Sequence, residues 1–105
     1  MADYDLYGID VATLNDAVMI VTALLKLPFY QHESSYVGDY FVADGEGGET
    51  FKVRENIDPD DGEPAETDYA SHEFLLYVDG SDRGSDLRQM LQSDQSVKLL
   101  RHECF

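Results

Sequence analysis

The sequence predicts an α+β domain, with two helices packed on one face of a mainly antiparallel sheet of about five strands. Three observations carry that reading. The chain has 105 residues, 43% of them hydrophobic and with seven Tyr and five Phe, which is enough for one compact core and too little for two. Apolar residues recur at helical spacing between Val11 and Leu27 and switch to period two after Pro28. Phe74-Leu75-Leu76-Tyr77-Val78 is a continuous apolar run bounded by Asp79-Gly80, and such a run belongs in the middle of a sheet covered on both faces.

Taken in order, Tyr4 to Ile9 alternates weakly and reads as the first strand. Thr13-Leu14-Asn15-Asp16 resembles a capping box with Asp in place of Glu, with Asp10 as a competing N-cap. In the helix that follows, Val11, Leu14, Val18, Val21 and Leu25 form a stripe that Met19, Ile20 and Leu24 widen. It should be buried on most sides in the groove of the sheet rather than exposed to grip a partner. Pro28 ends it. Phe29 to His32 and Tyr36 to Ala43 are strand territory, and Asp44 to Glu49 supplies turn residues before Phe51-Lys52-Val53-Arg54. The strands flanking that turn should form an antiparallel hairpin with Phe51 and Val53 facing the core.

From Glu55 to Tyr69 the chain has Pro59, Gly62, Pro64 and seven acids with no base, which predicts a solvated loop. Ser81 or Ser85 can cap a short second helix, with Leu87, Met90 and Leu91 packed and Arg88, Gln89 and Gln92 facing water. Ser96 to Glu103 is the last strand. The order strand, helix, three strands, helix, strand (β-α-β-β-β-α-β) predicts a ferredoxin-like variant with an extra strand. Residues 1–105 are expected to be a single domain carrying an acidic loop at about 55–70.

Acidic residues outnumber basic ones by 22 to 7, giving a net charge of -15. Nucleic acid and anionic membrane are excluded as partners by like-charge repulsion, and a basic protein fits. Residues 29 to 69 hold 12 acids and 2 bases, so one side of the molecule should be strongly negative, the hairpin turn and the long loop together drawing in a cation-lined surface. A merely solvated surface, as in halophile proteins, is the bland alternative. The apolar stretch Val11 to Leu27 is interrupted by Asn15, Asp16 and Lys26 and is shorter than a membrane span. The opening residues lack the basic start of a secretory signal, so a cytoplasmic protein is expected. Cys104 is alone, which rules out an intramolecular disulfide, a zinc ribbon and CxxC chemistry.

His32-Glu33, His72-Glu73 and His102-Glu103 each fall near a strand end, but neighbouring strand residues point to opposite faces, so no such pair can share one ion. Asn56 to Gly62 fails the calcium-loop pattern in either register. Ser34, Ser35 and His32 lack a nucleophile elbow, and Gly45, Gly47 and Gly48 sit in an acidic turn that would repel phosphate. No enzyme activity, cofactor or metal is expected, the metal-dependent enzyme using the histidines being a third-placed alternative.

The segment Phe29-Tyr30-Gln31-His32-Glu33-Ser34-Ser35-Tyr36-Val37-Gly38-Asp39-Tyr40-Phe41 resembles bacterial immunity proteins of contact-dependent growth inhibition and related polymorphic toxin systems. It covers about an eighth of the chain. The resemblance implies a protein without enzymatic activity that binds a cognate toxin domain, often a nuclease, and occludes its active site or an exosite. Nucleases present basic grooves to phosphates, and carboxylates on a rigid scaffold can occupy the same groove. The toxin-binding candidates are Glu33, Tyr36, Asp39, Tyr40, Glu46, Glu49, Asp58, Asp60 and Asp61. An acidic DNA-mimic or anti-restriction inhibitor is the alternative, disfavoured because the C-terminal third is nearly balanced in charge.

Overall fold

The computed structural model describes residues 2–34 and 38–105. Six strands and two α-helices follow one another as β1 (Asp3–Ile9), α1 (Leu14–Leu25), β2 (Tyr30–Ser34), β3 (Gly38–Asp44), β4 (Thr50–Glu55), β5 (Phe74–Ser81), α2 (Gly84–Leu91) and β6 (Val97–Cys104). The sheet order is β2-β3-β4-β5-β1-β6, and every neighbouring pair is antiparallel. The expected count of about five strands is thus corrected to six. The stretch after Pro28 does not continue as one strand but folds back, pairing Tyr30 with Val42 and Ser34 with Gly38. Period two is the same on both limbs of a hairpin, so alternation alone does not reveal the reversal.

The main core lies between the sheet and both helices. Cross-strand partners share a face, and one row runs Phe41, Val53, Leu76, Tyr7 and Leu99 across β3, β4, β5, β1 and β6. Ala17, Val21 and Leu25 of α1 and Leu87 and Leu91 of α2 close over this face, all buried in the same cluster. Thr13 caps α1 as expected, its Oγ1 accepting from the Asp16 amide at 3.1 Å. Lys26 ends the helix in the left-handed region at φ 56°. The helix is not buried on most sides. Met19 is 69% exposed because a single sheet lies beneath it and α2 only beside it, so one face suffices. α2 begins after Arg83 without a serine cap; Ser81 Oγ instead accepts from the Arg83 amide at 3.1 Å. Arg88, expected to face water, turns inward to the buried Asp5 at 2.9 Å.

Over β5 and β1, the second face of the sheet is covered by the chain between β4 and β5. Asn56, itself buried, donates from its side-chain amide to the carbonyls of Tyr69 and His72 at 3.0 Å each and accepts from the Glu66 amide at 2.8 Å. Tyr69 donates to the Leu100 carbonyl at 3.1 Å, and the Glu66 carboxylate accepts from Tyr77 and Arg101. His72 lies so close over β1 that a Cβ on Gly8 would sit 2.6 Å from its Nδ1. The covered strands bury Leu6 and Leu75 on this face. The expected free loop is therefore a tethered cover, fastened by Asn56, Glu66, Tyr69 and His72. Among the described residues, no helix is long and apolar enough to cross a membrane.

Candidate functional site

The candidate residues do not gather at one place. β4 joins the hairpin turn to the long loop and has six residues, so at about 3.3 Å per residue the two acidic segments stand roughly 20 Å apart. One combined field from turn and loop is thereby corrected to two separate ones. At the turn end, the Glu46 side chain is exposed and lies 3.8 Å from Arg83. Glu49 is fully buried, accepting from Ser81 Oγ at 2.7 Å, from the Glu46 amide at 3.0 Å and from Arg83 Nε at 3.0 Å, with a second, shorter contact from Arg83 Nη2. Burial pushes its carboxyl up, but the hydrogen bonds from Arg83, Ser81 and the Glu46 amide outweigh this and hold it below the usual range. Glu49 is a structural anchor with no surface to offer a partner, and it leaves the candidate set.

The other end is the coherent acidic site. Glu33 and Asp39 stand directly opposite each other on β2 and β3, both exposed, a like-charge pairing that costs stability. Asp39 shares a shallow recess with Gly38, Glu55, Ile57 and Pro59, which brings the loop acids on either side of Pro59 to the same end. The loop's shape is local. Asp58 Oδ1 accepts from the Asp60 amide at 3.0 Å and Asp61 Oδ1 from the Glu63 amide at 2.9 Å, Asx-type turns that leave Asp60 and Asp61 exposed. Arg54 fastens the base of the loop, donating to the carbonyls of Glu55 at 3.0 Å and Ile57 at 3.1 Å. Glu55 and Ile57 were missed as site residues, although the end of an alternating strand beside two candidate acids pointed to the first of them.

Tyr40 follows Asp39 on β3 and so projects to the opposite face, where its ring stacks on His32 at 5.6 Å and Lys52 Nζ lies 5.9 Å from its centroid. Tyr36 lies outside the described residues. Glu33, Asp39, Asp58, Asp60 and Asp61 thus form one end, Tyr40 the other face, Glu46 the far end and Glu49 the interior. The histidines also part company: besides the His32 stack, His72 lies 3.2 Å from Asp10 and His102 2.5 Å from Asp5.

All four arginines are directed at internal partners: Arg54 at backbone carbonyls, Arg83 at Glu49, Arg88 at Asp5 and Arg101 at Glu66 and Glu103. Arg83, Arg88 and Arg101 neutralise carboxylates away from the acidic end, while Arg54 stands at its base on two backbone carbonyls. What that end offers chemically is a set of hydrogen-bond acceptors for ammonium and guanidinium groups, held on strands and on a tethered loop. No protein-family model matches the chain, and no curated protein matches it.

Proposed function

We propose that this chain is an immunity protein that binds a cognate basic toxin domain, of nuclease type, and neutralises it by occluding its basic groove or an exosite. The observation that carries the proposal is the acidic end: Glu33 opposed to Asp39, Glu55 beside them and the loop acids adjoining. A like-charge pair on exposed strands costs folding energy, and a partner that supplies cations there turns that cost into binding specificity. The protein acts by binding and in the cytoplasm, without turnover of a substrate. In the same reading, β4, β5, β1 and β6 with α1 and α2 form a ferredoxin-like unit, and the β2–β3 hairpin is an addition at its edge that carries half of the site.

The test is co-expression with the C-terminal domain of the neighbouring gene's product. Growth should be protected, and Glu33→Lys with Asp39→Lys should remove protection while the protein stays folded. A domain that remains toxic in cells making the wild-type protein overturns the proposal. Equal binding to several unrelated DNA-binding proteins also overturns it, in favour of a DNA mimic.

A further inference from the structure

On the helix side, α1 packs on β4 and α2 on β1 and β6, with β5 in the core between them. Neighbouring strands lie about 4.8 Å apart and packed helices about 8–10 Å, so each helix covers two strands and a six-stranded sheet has room for three. Only two α-helices are present among the described residues, and the place left over is that above β2 and β3. Register sets out its floor. Glu33 stands opposite Asp39, and Gln31 opposite Phe41, which in turn faces Val53. Glu55, two residues after Val53, returns to the same side of the sheet, in keeping with its pairing to the core residue Phe74. Gln31, Glu33, Asp39 and Glu55 are exposed, and Phe41 is half-buried at the edge of the core. The uncovered strip therefore has an apolar row beside α1 and then a row of three carboxylates, with no basic side chain in either. Lys52 and Arg54, opposite Val42 and Tyr40, belong to the other face, and Lys26 caps α1 at the far end, ahead of β2.

We propose that a basic amphipathic helix of the partner protein docks on this strip, completing the helix layer, with its apolar stripe on Phe41 and Gln31 and its cations on Glu33, Asp39 and Glu55. The proposal rests on the basic-partner reading above and adds to it which element of the partner is held and where. The size fits. β2 has five residues, about 17 Å of strand, which about three turns of helix span. A sheet face beside a packed helix is completed by another helix, and α1 supplies the side wall. Charge complementarity fixes the chemistry of that helix, because two adjacent rows, one apolar and one acidic, require apolar and cationic residues side by side on one stripe. A second copy of this chain does not meet the requirement. The one charged residue in α1 is Asp16, and α2 carries Asp86 with Arg88, whose guanidinium is already held by Asp5.

The test titrates the isotope-labelled protein with a leucine–lysine peptide of about 14 residues patterned at the helical period and, separately, with its period-two isomer of equal composition. The helical-period peptide should bind more tightly and gain helicity by circular dichroism as it does so. The Phe41 ring and the Gln31 side-chain amide should shift, and the Tyr30 and His32 rings, on the other face, should not. Gln31→Lys sets a cation in the middle of the floor and should weaken this peptide about five- to tenfold, the scale of one like charge at close range, whereas Gln31→Glu should tighten it. Equal affinity for the two peptides, shifts at the Tyr30 and His32 rings in place of Phe41, or unchanged binding by both Gln31 variants each overturn the proposal. Protection by co-expression that survives Gln31→Lys overturns this surface and leaves the immunity reading standing. Peptide binding as expected, with no protection by the wild type, does the reverse.

Discussion

Glu49 shows how a single carboxylate can be turned from solvent to structure. Removing it leaves the Arg83 guanidinium and the Ser81 hydroxyl without their acceptor, and breaking a buried ion pair costs about 3–5 kcal/mol. The Arg83 side chain keeps 24% of its exposure and can be rehydrated, so Glu49→Ala should cost about 2–3 kcal/mol by urea unfolding. The folded carboxyl is held below its ordinary value, so its contribution is complete above the unfolded pKa and is lost as pH falls through the folded one. The wild type should therefore lose stability relative to Glu49→Gln as pH drops below about 4.5, and parallel melting curves from pH 6 to 3 would count against the pairing. Tyr7 is the opposite case. Among the described residues its hydroxyl has no acceptor in strict hydrogen-bonding geometry, although the Asp5 carboxylate lies nearby, while burial, and then the charge of Asp5, push its pKa up. Tyr7→Phe should leave stability unchanged or raise it by up to about 1 kcal/mol, since an unsatisfied polar group is removed; a clear loss in Tm would reveal a partner for the hydroxyl.

At the scale of elements, the segment between β4 and β5 depends on Asn56, whose three hydrogen bonds hold the cover together. At about 1 kcal/mol each, Asn56→Ala should cost about 2–3 kcal/mol, and hydrogen exchange should quicken in residues 57–72 ahead of the core strands. Unchanged exchange there would mean that the cover is held elsewhere. Most elements were legible: the Thr13 cap, the hairpin that buries Phe51 and Val53, and the doubly covered β5 follow from spacing and turn chemistry, whereas α1 stops at Leu25 on a left-handed Lys26, ahead of the Pro28 expected to end it. Composition failed where a few residues outweighed their neighbours. Seven acids in 55–69 describe a solvated segment, yet the Asn56 amide closes it on itself and Glu66 and Tyr69 tether it to the sheet. Hydrophobic period likewise overstated the burial of α1, because periodicity records which side chains can be buried and not how many neighbouring layers exist to bury them. For the site, local charge was readable, but the separation of turn from loop required the length of β4, and the division of Asp39 from Tyr40 required the pleat.

For the molecule as a whole, a net charge of -15 with all four arginines engaged by groups of the chain itself means that self-repulsion and partner attraction arise from the same carboxylates. Replacing Asp58, Asp60 and Asp61 with Asn tests both consequences at once. Asn keeps an Oδ1, so the turns in which Asp58 and Asp61 accept backbone amides survive the exchange, and only charge is removed. Self-repulsion falls, so the variant should melt at or above the wild-type temperature in 10 mM salt, with the difference shrinking in 0.5 M salt as the Debye length contracts. Association with a basic partner should move the other way. Exposed loop charges act at a distance on encounter, so the triple variant should associate more slowly and with a flatter dependence on ionic strength, while its dissociation rate changes little. Truncating Glu33 or Asp39, which are fixed on strands, should instead raise the dissociation rate. Stopped-flow measurements at two ionic strengths separate these cases. If the triple variant gains stability and its association is unaffected, the loop acids are a solvated margin only, and the work of recognition falls to the β2–β3 hairpin.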